Sequence, residues 1–222
     1  MSGIVGSRLN IRGSGLVGSV GTDGQVLTSS GAGVGHTFED AAGGGAWNFL
    51  GTDSVSDGAL LETTGLFSST YKLYMVVISN LRSEKASPVQ NIYAQVRSGG
   101  SYLTGDLYDW GVSGWDAGTT NHIGRAGQTD SAAQITMDGM GAETNLKTQS
   151  IIFWLDNPAS TTYNTNVRHE TWGLQNETKG LGGQGGFTYY HYSSPAAIDG
   201  LKIYGASDNI TGSIYTYGLA LS

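Results

Sequence analysis

Apolar residues in this chain tend to recur at every second position. No stretch sets them at the i, i+3, i+4, i+7 spacing of a capped amphipathic helix. Eight or more such runs, of about six to ten residues each, are separated by Gly, Asn, Asp and Pro. That alternation confines the chain to an all-β fold, because period-two patterning buries one face of a strand and exposes the other. The expected architecture is an antiparallel β-sandwich of jelly-roll type over residues 46–222, preceded by a Gly-rich extended arm over residues 1–45.

The runs differ in character. Residues 71–80 are the most continuously apolar and aromatic, and are expected to form a central strand with both faces largely covered. Residues 91–97 alternate as a half-buried strand. Ser98-Gly-Gly100 then turns the chain into Ser101-Tyr-Leu103, a hairpin signal, since paired glycines supply positive φ angles. Residues 134–138, 150–155, 187–192 and 210–221 read as further strands, with Ile198, Leu201 and Ile203 marking another. Asp156-Asn-Pro158 stops the 150–155 run. Residues 161–174 read as a long exposed strand. Residues 109–127 and 180–186, dense in turn residues and glycine, read as surface loops.

Glycines at 3, 6, 13, 15, 18, 21, 24, 31, 33 and 35 divide the first forty residues into short β-prone pieces. None can bury an apolar face alone, and glycine loses more entropy on ordering than any other residue. Such a segment is either a flexible tail or is ordered by packing against other chains. A plain flexible linker would not need Ile4, Val5, Leu9, Ile11, Leu16, Val17, Val26 and Leu27, so these are expected interface residues.

Composition removes several classes of function. Net charge is −7 and the densest basic feature is Arg8 with Arg12, which argues against nucleic-acid binding. Cysteine is absent, so disulfides and Cys-ligated zinc are excluded. The start carries no basic region followed by an apolar core, and no apolar run is long enough to span a bilayer. The expectation is folding in a bacterial cytoplasm without membrane insertion. The four histidines, at 36, 122, 169 and 191, lack metal-ligand spacing, so no metal is expected.

The chemistry that remains is aromatic. Trp110, Trp115, Tyr189, Tyr190 and Tyr192 could stack on pyranose faces, with Asp109, Asp116 and Asn121 bonding to hydroxyls; equally, these rings could fill the core or a subunit interface. Asp106 with Asp109, or Asp109 with Asp116, could form the carboxylate pair of a glycosidase, but aspartates in turns usually serve the backbone. Residues 180–186 lack the Lys-Ser/Thr of a phosphate loop. No catalytic residue and no cofactor is expected.

The run Gly21-Thr-Asp-Gly-Gln-Val-Leu-Thr-Ser-Ser-Gly-Ala-Gly33, ending in Thr37-Phe38, resembles an element of bacteriophage tail fibres and other virion appendages. The opening Met1-Ser-Gly-Ile-Val-Gly-Ser-Arg-Leu-Asn-Ile-Arg-Gly-Ser-Gly15 is similar to the start of small structural proteins of tailed phages of marine bacteria. Asp208-Asn-Ile-Thr-Gly-Ser-Ile-Tyr-Thr-Tyr-Gly-Leu219 is similar to the closing strand of many such proteins, while the middle of the chain carries no such likeness. The resemblance implies a trimer whose thin N-terminal part attaches to the particle and whose C-terminal head is β-rich. Arg8 and Arg12 would then pair with acidic groups on other virion proteins of the tail or capsid. The expected role is a non-enzymatic virion protein, a tail fibre or spike binding a host-surface glycan. A capsid decoration or head fibre is the alternative, ahead of a virion-borne glycan-degrading enzyme or a free lectin-like module.

Overall fold

The computed structural model describes residues 25–28, 37–40, 47–84, 90–116, 121–136, 148–176, 179–189 and 195–219. Among them there is no helix, and so none long and apolar enough to cross a membrane. The chain divides into two units, Met1–Gly44 and Gly45–Ser222. In the first, β1 (Gln25–Thr28) pairs antiparallel with β2 (Thr37–Asp40), setting Val26 opposite Glu39 and Leu27 opposite Phe38. The other expected interface residues, Ile4, Val5, Arg8, Leu9, Ile11, Arg12, Leu16 and Val17, lie outside the described residues.

Among the described residues the second unit holds thirteen strands. They are β3 (Trp47–Gly58), β4 (Leu60–Thr64), β5 (Leu73–Ser83), β6 (Ile92–Ser98) and β7 (Ser101–Tyr102). Next come β8 (Tyr108–Asp116), β9 (Asn121–Asp130), β10 (Ala133–Gln134) and β11 (Gln149–Asp156). The last are β12 (Asn166–Asn176), β13 (Lys179–Tyr189), β14 (Gly200–Gly205) and β15 (Ile210–Leu219). One sheet of eight strands runs β3-β15-β5-β11-β12-β13-β8-β9; the other runs β10-β6-β14-β4, with β7 beside β6. The pairings are antiparallel throughout.

Alternation decides which face each strand buries. In β5, Tyr74, Val76 and Ile78 are buried while Met75 and Val77 are half-buried. In β11, Ile151, Phe153 and Leu155 point inward, and in β15 Ile210 and Ile214 do. Leu61, Ile92, Ala94, Val96, Leu201 and Ile203 of the smaller sheet join them in one core. Each Val, Leu, Ile or Phe side chain among them contributes about 1.5–3 kcal/mol on burial. The buried Tyr108 hydroxyl of β8 ties the sheets together: it donates to Leu103 O at 2.9 Å and accepts from Val96 N–H at 3.0 Å. The expected hairpin is present, with φ of +56° at Gly99 and +85° at Gly100 between the paired Ser98 and Ser101.

Several expectations need correction. Residues 109–116 and 121–127 are not loop: they lie in the paired strands β8 and β9, so Asp109, Trp110, Trp115, Asp116 and Asn121 are all on strands. Residues 180–186 are not a loop either. They lie within β13, paired along both edges with β12 and β8. Backbone ladder bonds need no side chains, so a run of glycines held on both sides forms a strand that side-chain alternation cannot announce. The strand expected at residues 161–174 begins at Asn166 and is exposed on one face alone, since Val167, His169 and Thr171 are buried. The central strand begins at Leu73; one face is buried, and the residues of the other are partly buried, with Asn80 alone in the strand exposed.

Candidate functional site

The outward face of β9, β8, β13 and β12 carries the site. Register places His122, Trp115, Gly182 and Trp172 in one row across the four strands. Trp115 is 61% exposed and Trp172 63%, large apolar rings standing clear of the sheet. The His122 ring meets Trp115 edge-on at 5.3 Å. The next row is Gly124, Ser113, Gln184 and Glu170, and the one after it is Ala126, Gly111, Gly186 and Arg168. The middle of the face is therefore floored largely by glycine, alanine and serine, with the β12 side chains standing along one side as a wall.

The result is a trough. One end, about 280 Å³, lies among Trp115, His122, Glu170 and Trp172. The middle, about 630 Å³, is lined by Gly111, Ser113, Gly124, Arg125, Arg168 and Glu170 among others. The far end, about 430 Å³, reaches Asp109, Asn166 and Thr188. The first two share Ser113 and Glu170, and the last two share Gly111, Ala126 and Arg168, so the three are continuous. Arg168 lies over the Trp154 ring at 4.6 Å, a cation–π contact that fixes its position on the wall.

Beneath the floor the packing is dense. Val112, Val167 and Phe187 are buried there. So is His169, whose ring lies 5.7 Å from Phe153 and whose two nitrogens have no hydrogen-bond partner. Burial lowers its pKa to about 4. A Cβ at Gly185 would lie 2.9 Å from His169 Nε2, and one at Gly186 would lie 2.7 Å from Val167 O. At both glycines a side chain would press on neighbouring atoms, His169 at Gly185 and the β12 backbone at Gly186.

Of the aromatic and polar residues expected to bind sugar, Trp115 faces the trough. Trp110 does not stand free. It packs against the core, half-buried, and its indole N–H donates to Asp130 Oδ2 at 2.6 Å. Asp109 is exposed at the far end, where its carboxylate accepts the Thr129 N–H at 3.0 Å beside the positive φ of Thr129. That is turn chemistry. Asp116 and Asn121 face each other in the β8–β9 register, and Tyr189 pairs with Tyr108. Tyr190 and Tyr192 lie outside the described residues.

Sequence reasoning missed Trp172, Glu170, Arg168 and His122. A signal for the first three was present: with Val167, His169 and Thr171 inward, the even-numbered neighbours must share the opposite face. Among the described residues no group of three His, Cys, Asp or Glu could hold a metal ion.

Comparison with known proteins gives no match. No family model, no curated protein and no solved structure matches this chain. The trough's own residues are what define its chemistry.

Proposed function

We propose that this protein is a non-enzymatic attachment protein of a virion, a tail fibre or spike whose head binds a host-surface glycan in the trough. The observation that carries the binding part is the register of Trp115 and Trp172 on either side of Gly182. Two strand spacings, about 9.6 Å, separate the two positions. One pyranose ring fits between them, its apolar face against indole and its edge over bare backbone. Ser113, His122 and Glu170, polar residues lining this end of the trough, suit hydroxyl recognition. Glu170 is the single carboxylate among the described residues lining the Trp end and the middle, whereas hydrolysis by paired carboxylates needs two.

Trp115→Ala and Trp172→Ala are each expected to weaken binding of the cognate oligosaccharide about tenfold, and the double variant to abolish it. Titration calorimetry against sugars selected on a glycan array measures this. Unchanged affinity in both single variants would remove the trough from the reading.

The virion part rests on the likeness of residues 1–38 to phage appendages. In this reading the two sheets around one core form a sandwich head, and three copies associate. The outward faces of β3, β15, β5 and β11 supply a matching apolar surface, where Phe49 is 57% exposed and its ring lies 5.5 Å from that of Tyr217. Deleting residues 1–35 is expected to abolish incorporation into particles while the head still unfolds cooperatively. A deletant that loads normally onto particles would end the attachment role.

A further inference from the structure

We infer that the glycan taken by the trough is acidic, and that Arg168 holds a carboxylate of one of its sugars. This rests on the sugar-binding reading above and narrows it to a class of ligand. Two charged side chains of β12 stand on the trough face, Arg168 and Glu170. Arg125 belongs to the opposite face, in register with the buried Val112.

Arg168 has the geometry of an anion hook. Its guanidinium is exposed, yet held over the Trp154 ring at 4.6 Å. A stacked guanidinium keeps its plane fixed and directs its N–H fork sideways. Across the floor, its row continues through Gly186, Gly111 and Ala126, which have no polar side chain to reach it. The ion pairs among the described residues are Arg82 with Glu84 and Arg97 with Asp199, both elsewhere. Arg168 thus lines the trough wall with an exposed guanidinium that no ion pair among the described residues engages, and a planar carboxylate there can accept two parallel hydrogen bonds from it.

The spacing also sets ligand length and direction. Trp172 and Arg168 lie on the same face of β12, four residues apart, a separation of about 13 Å. One sugar ring cannot span it. The ligand is an oligosaccharide stretch with one ring in the Trp115–Trp172 slot and an acidic sugar at Arg168. Glu170 stands between them and disfavours a second carboxylate near the slot, which favours a chain with acidic and neutral positions in alternation.

The test uses the full chain and four probes of equal length: a polyuronate hexamer, a hexamer alternating uronate and neutral sugar, a neutral β-linked hexaglucoside and a sulfated galactan hexamer. The wild type is expected to bind the uronate-containing hexamers at least tenfold more tightly than the neutral one, with affinity falling as salt rises. Arg168→Gln is expected to cost about 10- to 100-fold on those hexamers and to flatten the salt dependence. Arg168→Lys is expected to recover part of the affinity, because it restores charge but not the planar fork. Thermal unfolding of both variants, matching the wild type, separates lost binding from lost fold. If the neutral hexamer binds as tightly as the uronates in a tryptophan-dependent way, the acidic inference is overturned and the sugar-binding reading stands. Arg168-dependent binding of the sulfated hexamer alone overturns the carboxylate assignment. If no probe binds and the tryptophan variants also behave as wild type on a glycan array, both fall.

Discussion

Replacing His169 with leucine will flatten the acid dependence of this protein's stability. The imidazole is 0% exposed, packs on Phe153 and has two ring nitrogens without partners. Burial penalises its charged form and lowers its pKa from 6.5 to about 4. The sign follows from proton uptake. Between pH 6.5 and 4 the unfolded chain binds a proton at this side chain that the native state refuses. Stability is therefore complete above the upper value and is lost as pH falls toward the lower one. A difference of that size corresponds to about 3 kcal/mol, a large share of a domain's total stability. Leucine has similar volume and no polar atom, so it also removes the cost of burying two unpaired nitrogens, and the variant should be the more stable protein even at pH 7. Urea unfolding at pH 7.5, 6, 5 and 4.5 measures the gap between variant and wild type. Carboxylates shared by both chains cancel in that gap, which should widen by about 2.5 kcal/mol across the series. Two parallel curves would mean that the imidazole already finds a proton acceptor or water in the native state.

His169 also illustrates what the sequence could and could not disclose. The period-two set it forms with Val167 and Thr171 was visible, as was the alternation of β5, β11 and β15, but a set of Val, His and Thr is not apolar enough to say which face is buried, and the strand read as exposed. The turn at Gly99 and Gly100 was legible for another reason, because few residue pairs other than glycines adopt two successive positive φ angles without strain. The β13 strand was not legible. A glycine contributes no side chain to alternate, and the strand state of residues 180–186 comes from ladder bonds to β12 and β8, which are distant in sequence. Once β13 is misread as a loop, the trough disappears, because its floor is that strand. Trp110 and Trp115 show the same dependence: an odd spacing along one strand sends them to opposite faces, a distinction that a loop does not make. That Trp115 meets Trp172 across Gly182 depends on register over three strands, and no local pattern encodes it.

Gly111→Leu is expected to abolish glycan binding by more than about 100-fold while leaving the fold as stable as before or slightly more so. Glycine in a strand interior is a weak choice, costing about 0.5–1 kcal/mol relative to a residue with a side chain. At Gly185 and Gly186 that cost has a local structural reason, because a Cβ would press on His169 or the Val167 carbonyl. Gly111 has no such reason. Its φ is not positive, and the nearest atom to a Cβ there is Arg125 O at 3.9 Å, an ordinary contact. Gly124 is alike, with Val112 O at 4.0 Å. Both line the middle of the trough, so what their missing side chains provide is open space above the floor. A leucine at residue 111 projects into that space across the floor from Arg168, and an oligosaccharide lying in the trough would collide with it. Gly124→Leu should act in the same way from the β9 side. Stability by urea unfolding and affinity by calorimetry then move in opposite directions, a pattern that general damage to the fold does not produce. If both variants bind as the wild type does, the ligand does not lie along the floor, and the glycines of this face must answer to some other contact.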